Sequence, residues 1–122
     1  MDTSVLLATD VPRLSGELGV SAASLAELHF GVLVTSDPDV QAERLRRLVE
    51  ISRRFAALGV DEAVATSYGR LVAAVVATGR QPRPRVMDLL IAATAHAHSA
   101  RLYTRNARDL QGLEDLVEIV AV

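Results

Sequence analysis

Between Val86 and Ser99 the chain runs Val-Met-Asp-Leu-Leu-Ile-Ala-Ala-Thr-Ala-His-Ala-His-Ser, a helical stretch that is apolar on nearly every side. A surface helix keeps a polar face for water, so a helix without one needs cover all round, and this segment predicts a central, buried helix. At 122 residues the chain is long enough for one domain, 1–122, with a single core.

The rest of the pattern is read around that helix. Thr3 to Ala8 reads as a short apolar turn or helix, and Pro12, Gly16 and Gly19 mark a loop. Val20 to Ala23 is a short strand, after which Ser24 caps a helix through about Thr35, with Glu27 three residues on as in a capping box. Ser36-Asp37-Pro38 ends it. From Asp39 to about Ala57 the positions Val40, Leu45, Leu48, Val49, Ile51, Phe55 and Ala56 leave Arg and Glu on the other face, which predicts an amphipathic helix. Gly59 and Val60 form a brief connection or strand, and Asp61 caps a helix over 62–78 that Gly79 stops. Arg80 to Arg85, with two prolines, is a loop, and Arg101–Thr104 and Leu116–Val120 are short strands. Helices alternating with short apolar strands predict an α/β sandwich on a parallel sheet flanked by helices.

There is no cysteine, so neither a disulfide frame nor a thiolate zinc site is possible. No apolar run approaches the roughly 20 residues a membrane span requires, and the expected setting is cytoplasmic, with no membrane. All 13 basic residues are Arg, against 15 acids, so the net charge of −2 does not advertise nucleic-acid binding and RNA contacts must come from local patches. Arg80, Arg83 and Arg85, a few residues before Asp88, form such a patch, equally consistent with RNA phosphate contacts and with a solvated loop.

Most of the acids sit at helix ends or one turn from an arginine, as with Glu43 before Arg46 and Arg47 and Glu50 before Arg53 and Arg54. Three do not. Asp88 shares its helical face with Ile91, Ala92 and Ala95, Glu27 with Phe30, Gly31 and Val34, and Asp2 precedes Val5-Leu6-Leu7. A carboxylate on an apolar face is costly to desolvate unless it is paired, neutralised or bound to a metal. Each also has a structural reading: Asp88 as a helix-terminal charge beside Arg85, Glu27 in its capping box, Asp2 as an N-cap. In a parallel α/β sheet, however, strand-to-helix junctions meet at the carboxyl edge. Asp2, the Ser24–Glu27 turn, the Thr104–Asp109 segment and Asp88 at its helix start fit that edge. Four carboxylates without cysteine or a suitably spaced His pair suit Mg2+ or Mn2+ rather than zinc. His29, His96 and His98 read as surface or packing residues.

The stretches Asp2-Thr3-Ser4-Val5-Leu6-Leu7-Ala8, Ser24-Leu25-Ala26-Glu27-Leu28-His29-Phe30-Gly31, Asp88-Leu89-Leu90-Ile91-Ala92-Ala93-Thr94-Ala95 and Thr104-Arg105-Asn106-Ala107-Arg108-Asp109-Leu110 resemble, in order, the acidic motifs of PIN domains, in particular of VapC-type toxins from bacterial toxin–antitoxin pairs. Each motif alone is weak; four in order across essentially the whole chain are specific. The resemblance implies a PIN-like three-layer sandwich, with Asp2 and Asp88 as principal Mg2+ or Mn2+ ligands, Glu27 as a further ligand or nearby base, Asp109 completing the cluster, and Thr104 and Asn106 lining it. It implies an endoribonuclease that hydrolyses RNA phosphodiesters with a metal-activated water, a homodimer, and a cognate VapB-type antitoxin whose tail occupies an apolar groove. One departure from the family pattern is that only Met1 precedes Asp2: either the first strand is nearly absent or the natural product is longer.

Readings from other classes are weaker. A phospho-acceptor receiver domain requires a lysine, which the chain lacks, and a haloacid-dehalogenase-like phosphatase requires an acid where Ser4 stands. The runner-up is a non-catalytic PIN-fold module that binds RNA or protein.

Overall fold

The computed structural model describes residues 6–9, 18–104 and 107–121. In chain order the elements are β1 (Leu6–Thr9), β2 (Leu18–Ser21), α1 (Ala22–Val34), α2 (Pro38–Arg54), β3 (Ala56–Leu58), α3 (Glu62–Ala77), α4 (Val86–Ala97), β4 (Ala100–Thr104) and β5 (Ile119–Ala121), with short 3-10 turns at Arg83–Arg85 and Ala107–Leu110. The strands form one sheet in the order β3-β2-β1-β4-β5.

The central helix is where the composition of its segment puts it. Leu89, Ile91, Ala92, Ala93, Thr94 and Ala95 of α4 are all buried. α3 packs along α4 through Val64, Ser67, Leu71 and Val75, spaced three, four and four apart, while α4 also meets α1 and β4. Leu102 of β4 and Leu113 beyond it close the core. Each fully buried Leu in this set contributes about 2 kcal/mol by area removed from water.

Helix ends explain several differences from the sequence reading. α1 starts at Ala22 rather than after Ser24, because Ser21 is the N-cap: its Oγ accepts from the Ala23 N–H at 3.0 Å. The expected capping box of Ser24 and Glu27 is therefore not formed, and β2 ends at Ser21 instead of running to Ala23. α2 begins at Pro38, since Asp37 Oδ1 accepts from Asp39 N at 2.9 Å and proline suits the first helical turn. It stops at Arg54, and the strand then takes Ala56–Leu58 rather than Gly59 and Val60. Asp61 caps α3 as expected, accepting from Val64 N at 2.9 Å. Gly79, at φ +83°, ends it by donating to the Val76 carbonyl at 2.9 Å. The closing strand lies at Ile119–Ala121, a few residues later than Leu116–Val120.

The other correction concerns the start of the chain. Leu6–Thr9 is a strand rather than the expected turn or helix, and it occupies the centre of the sheet; Thr3 to Val5 lie outside the described residues. A four-residue apolar run does not reveal its type by periodicity alone. Its direction follows from chain length. Only residues 10–17 separate β1 from β2, too few for a parallel crossover, which takes about a dozen or more residues. β1 is accordingly antiparallel to β2 (Leu7 opposite Gly19) and to β4 (Leu7 opposite Leu102). The pairs β2–β3 and β4–β5 are parallel, joined through helices and turns, so the sheet is mixed rather than wholly parallel.

Candidate active site

Because β2 and β4 both run antiparallel to β1, they point the same way, and their carboxyl ends share one edge of the sheet. Three of the singled-out acids come from that edge. Glu27 lies in the second turn of α1, which leaves β2 directly; Asp109 lies in the 3-10 turn that follows β4; Asp88 lies in the first turn of α4, which packs against both α1 and that 3-10 turn. Thr104, the last residue of β4 and so at the same sheet edge, is buried at 2% exposure.

Glu27, Asp88 and Asp109 are all half-buried. Burial pushes the Glu27 carboxyl above its ordinary value of 4.5, and the negative charge of Asp88 adds to the rise. Burial likewise raises Asp88 above 3.8, reinforced by the charge of Asp109 and opposed by Arg85. The charge of Asp88 thus reaches Glu27 and that of Asp109 reaches Asp88, in the order Glu27–Asp88–Asp109. Glu27 Oε1 is buried with no hydrogen-bond partner among the described residues. Asp2 and Asn106 lie outside the described residues.

The family model of the PIN domain matches residues 1–114. The chain belongs to the PIN-domain family. Ribonuclease VapC4 of Mycobacterium tuberculosis is 37% identical over 127 residues, covering 99% of this chain and 94% of that protein. Ribonuclease VapC5 of the same organism is 33% identical over 130 residues, 100% of this chain and 93% of the other. Among solved structures, VapBC-5 from Mycobacterium tuberculosis, a member of the VapBC family of toxin–antitoxin systems, superposes with a TM-score of 0.72 at 30% identity over 85% of this chain and 81% of that one. VapBC-1 from nontypeable Haemophilus influenzae, at 24% identity, shows the same fold with a TM-score of 0.70 over 86% of this chain and 74% of the other.

In this PIN-domain protein the acidic edge suits a hard divalent cation in donor type, being all carboxylate with the Thr104 hydroxyl at the end of β4. Partly desolvated, like-charged carboxylates and an unpartnered carboxylate oxygen are what a cation would relieve. Among the described residues, no group of three or more His, Cys, Asp or Glu side chains is tight enough to hold a metal unaided. The three described acids therefore fit as part of a ligand set.

The basic loop divides into two kinds of arginine. Arg80 Nη1 donates to the Gln111 carbonyl and Arg85 Nη1 to the Gln81 carbonyl, both at 3.0 Å, so these two brace backbone. Arg83 is exposed and makes no hydrogen bond or ion pair with the described residues. The expected loop contains a 3-10 turn at Arg83–Arg85, which Pro82 and Pro84 favour. His96 is a packing residue at the far end of α4, its Nδ1 2.7 Å from Ser67 Oγ.

Sequence reasoning missed Ser24. Taken for a cap, it is fully buried on the inner side of α1, and its Oγ has no partner among the described residues. The signal was the triplet Ser21, Ser24, Glu27 at spacings of three: with Ser21 as the cap, Ser24 and Glu27 share one face.

Proposed function

We infer that this chain is an endoribonuclease toxin of a toxin–antitoxin pair, that residues 1–122 form one PIN domain, and that its activity depends on Mg2+ or Mn2+ held by Glu27, Asp88 and Asp109 together with Asp2. The observation that carries the reading is the coupled carboxylate row at the carboxyl edge of β2 and β4, in a chain 37% identical over its length to a protein named as a ribonuclease. In the same reading Asn106 and Thr104 would line the site.

A divalent cation held by Glu27, Asp88 and Asp109 together with Asp2 would supply charge to offset that of the scissile phosphate and would lower the pKa of an attacking water. The protein supplies position and electrostatics. Asp88 and Asp109, on elements that pack together, set the negative field that selects a divalent ion over a monovalent one. Glu27 presents an unpartnered oxygen, available to accept a proton from the water or to hold the ion. Arg83 is free to engage an RNA phosphate beside the site, and Arg80 and Arg85 shape the loop that carries it.

Partner binding has a surface to match. Phe30, Leu33 and Val34 of α1 and Val40, Leu45 and Val49 of α2 are exposed, and the two helices pack against each other, so their apolar side chains suit a groove for an antitoxin segment. Homodimerisation and a cytoplasmic setting belong to the same reading; no helix among the described residues is long and apolar enough to cross a membrane.

Incubating purified protein with a mixed RNA pool in EDTA, Mg2+ or Mn2+ tests the nuclease. Cleavage with metal, abolished by EDTA, is the expected result. The competing reading, a non-catalytic RNA- or protein-binding module on this fold, is favoured by the open spacing of the three described acids and predicts intact RNA in all conditions.

A further inference from the structure

Two serines at the start of α1, Ser21 as its N-cap and Ser24 in its first turn, are both fully buried, at 0% exposure, yet their hydroxyls are treated differently. Ser21 Oγ is committed to Ala23 N at 3.0 Å. Ser24 Oγ makes no hydrogen bond with the described residues, and neither does Glu27 Oε1 one helical turn further along the same face. A buried polar atom without a partner costs about as much as a lost hydrogen bond, and alanine would fill the Ser24 position without that cost. One such atom could be accidental strain. Two, one of them able to donate and the other an acceptor, on one helix face and at the acidic edge, form a matched pair for a small hydrogen-bonding group between them. A cation-bound water has the right complement, donating one proton to the carboxylate and the other to the hydroxyl oxygen, which can accept as well as donate.

We propose that Ser24 is a positioning residue of the active site, which with Glu27 seats a hydrated divalent cation through a shared water. The assignment rests on the metal-dependent reading above and adds to it a residue outside the acidic set. Mg2+ gives up its waters reluctantly, so a site that holds some of them by hydrogen bonds needs fewer direct ligands. This suits a described carboxylate row that does not form a complete metal group unaided. Outer partners of this kind orient the ligands and typically contribute 10–100-fold in metal affinity.

Ser21 provides the matched control, since it caps α1 and lies outside the catalytic machinery. Ser24→Ala, Ser21→Ala and the parent are compared by thermal melts in EDTA and across a Mn2+ titration, and by RNA cleavage over the same titration. Ser24→Ala should melt at or above the parent in EDTA, with its Mn2+ midpoint raised about 10–100-fold and cleavage recovering toward the parent as Mn2+ saturates. Ser21→Ala should show the opposite: a melting temperature lower by a few degrees and a Mn2+ midpoint within about threefold of the parent. If Ser24→Ala keeps the parent's Mn2+ midpoint, or melts well below the parent in EDTA, the hydroxyl is a structural element and the assignment falls. If the parent's melting temperature does not respond to Mn2+ at all, the metal reading fails first and carries this one with it.

Discussion

Replacing Asp88 by Asn is nearly isosteric and removes one charge from the middle of the row Glu27–Asp88–Asp109, so its effects on stability and on activity should separate. In metal-free protein two opposing terms act. The first turn of α4 loses a carboxylate that the helix dipole favours, worth about 0.3–1 kcal/mol. Against this, the variant is relieved of a half-buried charge beside Asp109. The pH dependence carries the sign. Burial and Asp109 raise the Asp88 pKa above the ordinary 3.8, so between 3.8 and the raised value the folded parent holds more protons than the unfolded chain. Its stability therefore falls as pH rises through that window and stays depressed above it. The melting temperature of Asp88→Asn minus that of the parent should accordingly increase from acid to neutral pH in EDTA.

Metal has the larger effect. At a Mn2+ concentration 100 times its dissociation constant the parent gains about 2.7 kcal/mol. Unfolding entropy near 2.1 cal/mol/K per residue amounts, for 122 residues, to about 0.26 kcal/mol/K, so the melting temperature should rise by roughly 10 °C. If loss of Asp88 weakens binding about 100-fold, the same Mn2+ stabilises the variant by only about 0.4 kcal/mol, a shift of roughly 1.5 °C. RNA cleavage should fall by orders of magnitude. Scanning fluorimetry with and without Mn2+, alongside a cleavage assay, reads all of this. A variant that gains the full shift and cleaves RNA like the parent refutes the site; one that fails to fold shows Asp88 to be a structural feature of α4.

Three further outcomes follow from the same structure. Leu89→Ala, at a fully buried position of the central helix, should cost about 2–5 kcal/mol and lower the melting temperature by roughly 8–19 °C in calorimetry. Arg83→Ala should leave the fold unchanged but weaken RNA binding across sequences and reduce the salt-dependence slope by about one, read by filter binding at several ionic strengths. Leu33→Asp, at a side chain 78% exposed, should leave cleavage intact while weakening capture of the antitoxin at least about tenfold by surface plasmon resonance.

How much of this was legible beforehand depends on whether a residue's neighbours are near in sequence. α4 could be read directly, because a segment without a polar side has only one place to go, and Leu89 to Ala95 are buried as that argument requires. Asp61 and Gly79 were equally legible, since caps act on the residues next to them. β1 was not: its strand character and its antiparallel direction come from pairing with β2 and β4, and only the length of the 10–17 connection hinted at the direction.

The candidate site shows the same division more sharply. Glu27 and Asp88 stood out because an ionisable group on an apolar face is conspicuous in any sequence, whereas Asp109 entered only through its place after a strand and the family resemblance. Their mutual coupling, by contrast, depends on α4 lying against both α1 and the 3-10 turn after β4, a long-range fact. Ser24 was invisible for a further reason. A serine followed three residues later by a glutamate reads as a helix start, and local chemistry fits that reading fully. Ser21 competes for the same role with the same chemistry, and the choice between them is made by where β2 must stop to keep Gly19, Val20 and Ser21 in register with Ala56, Ala57 and Leu58. A cap three residues upstream rotates Ser24 from the helix start to the buried face that carries Glu27. A shift of one turn in a helix boundary is thus enough to turn an ordinary capping residue into a component of the acidic site.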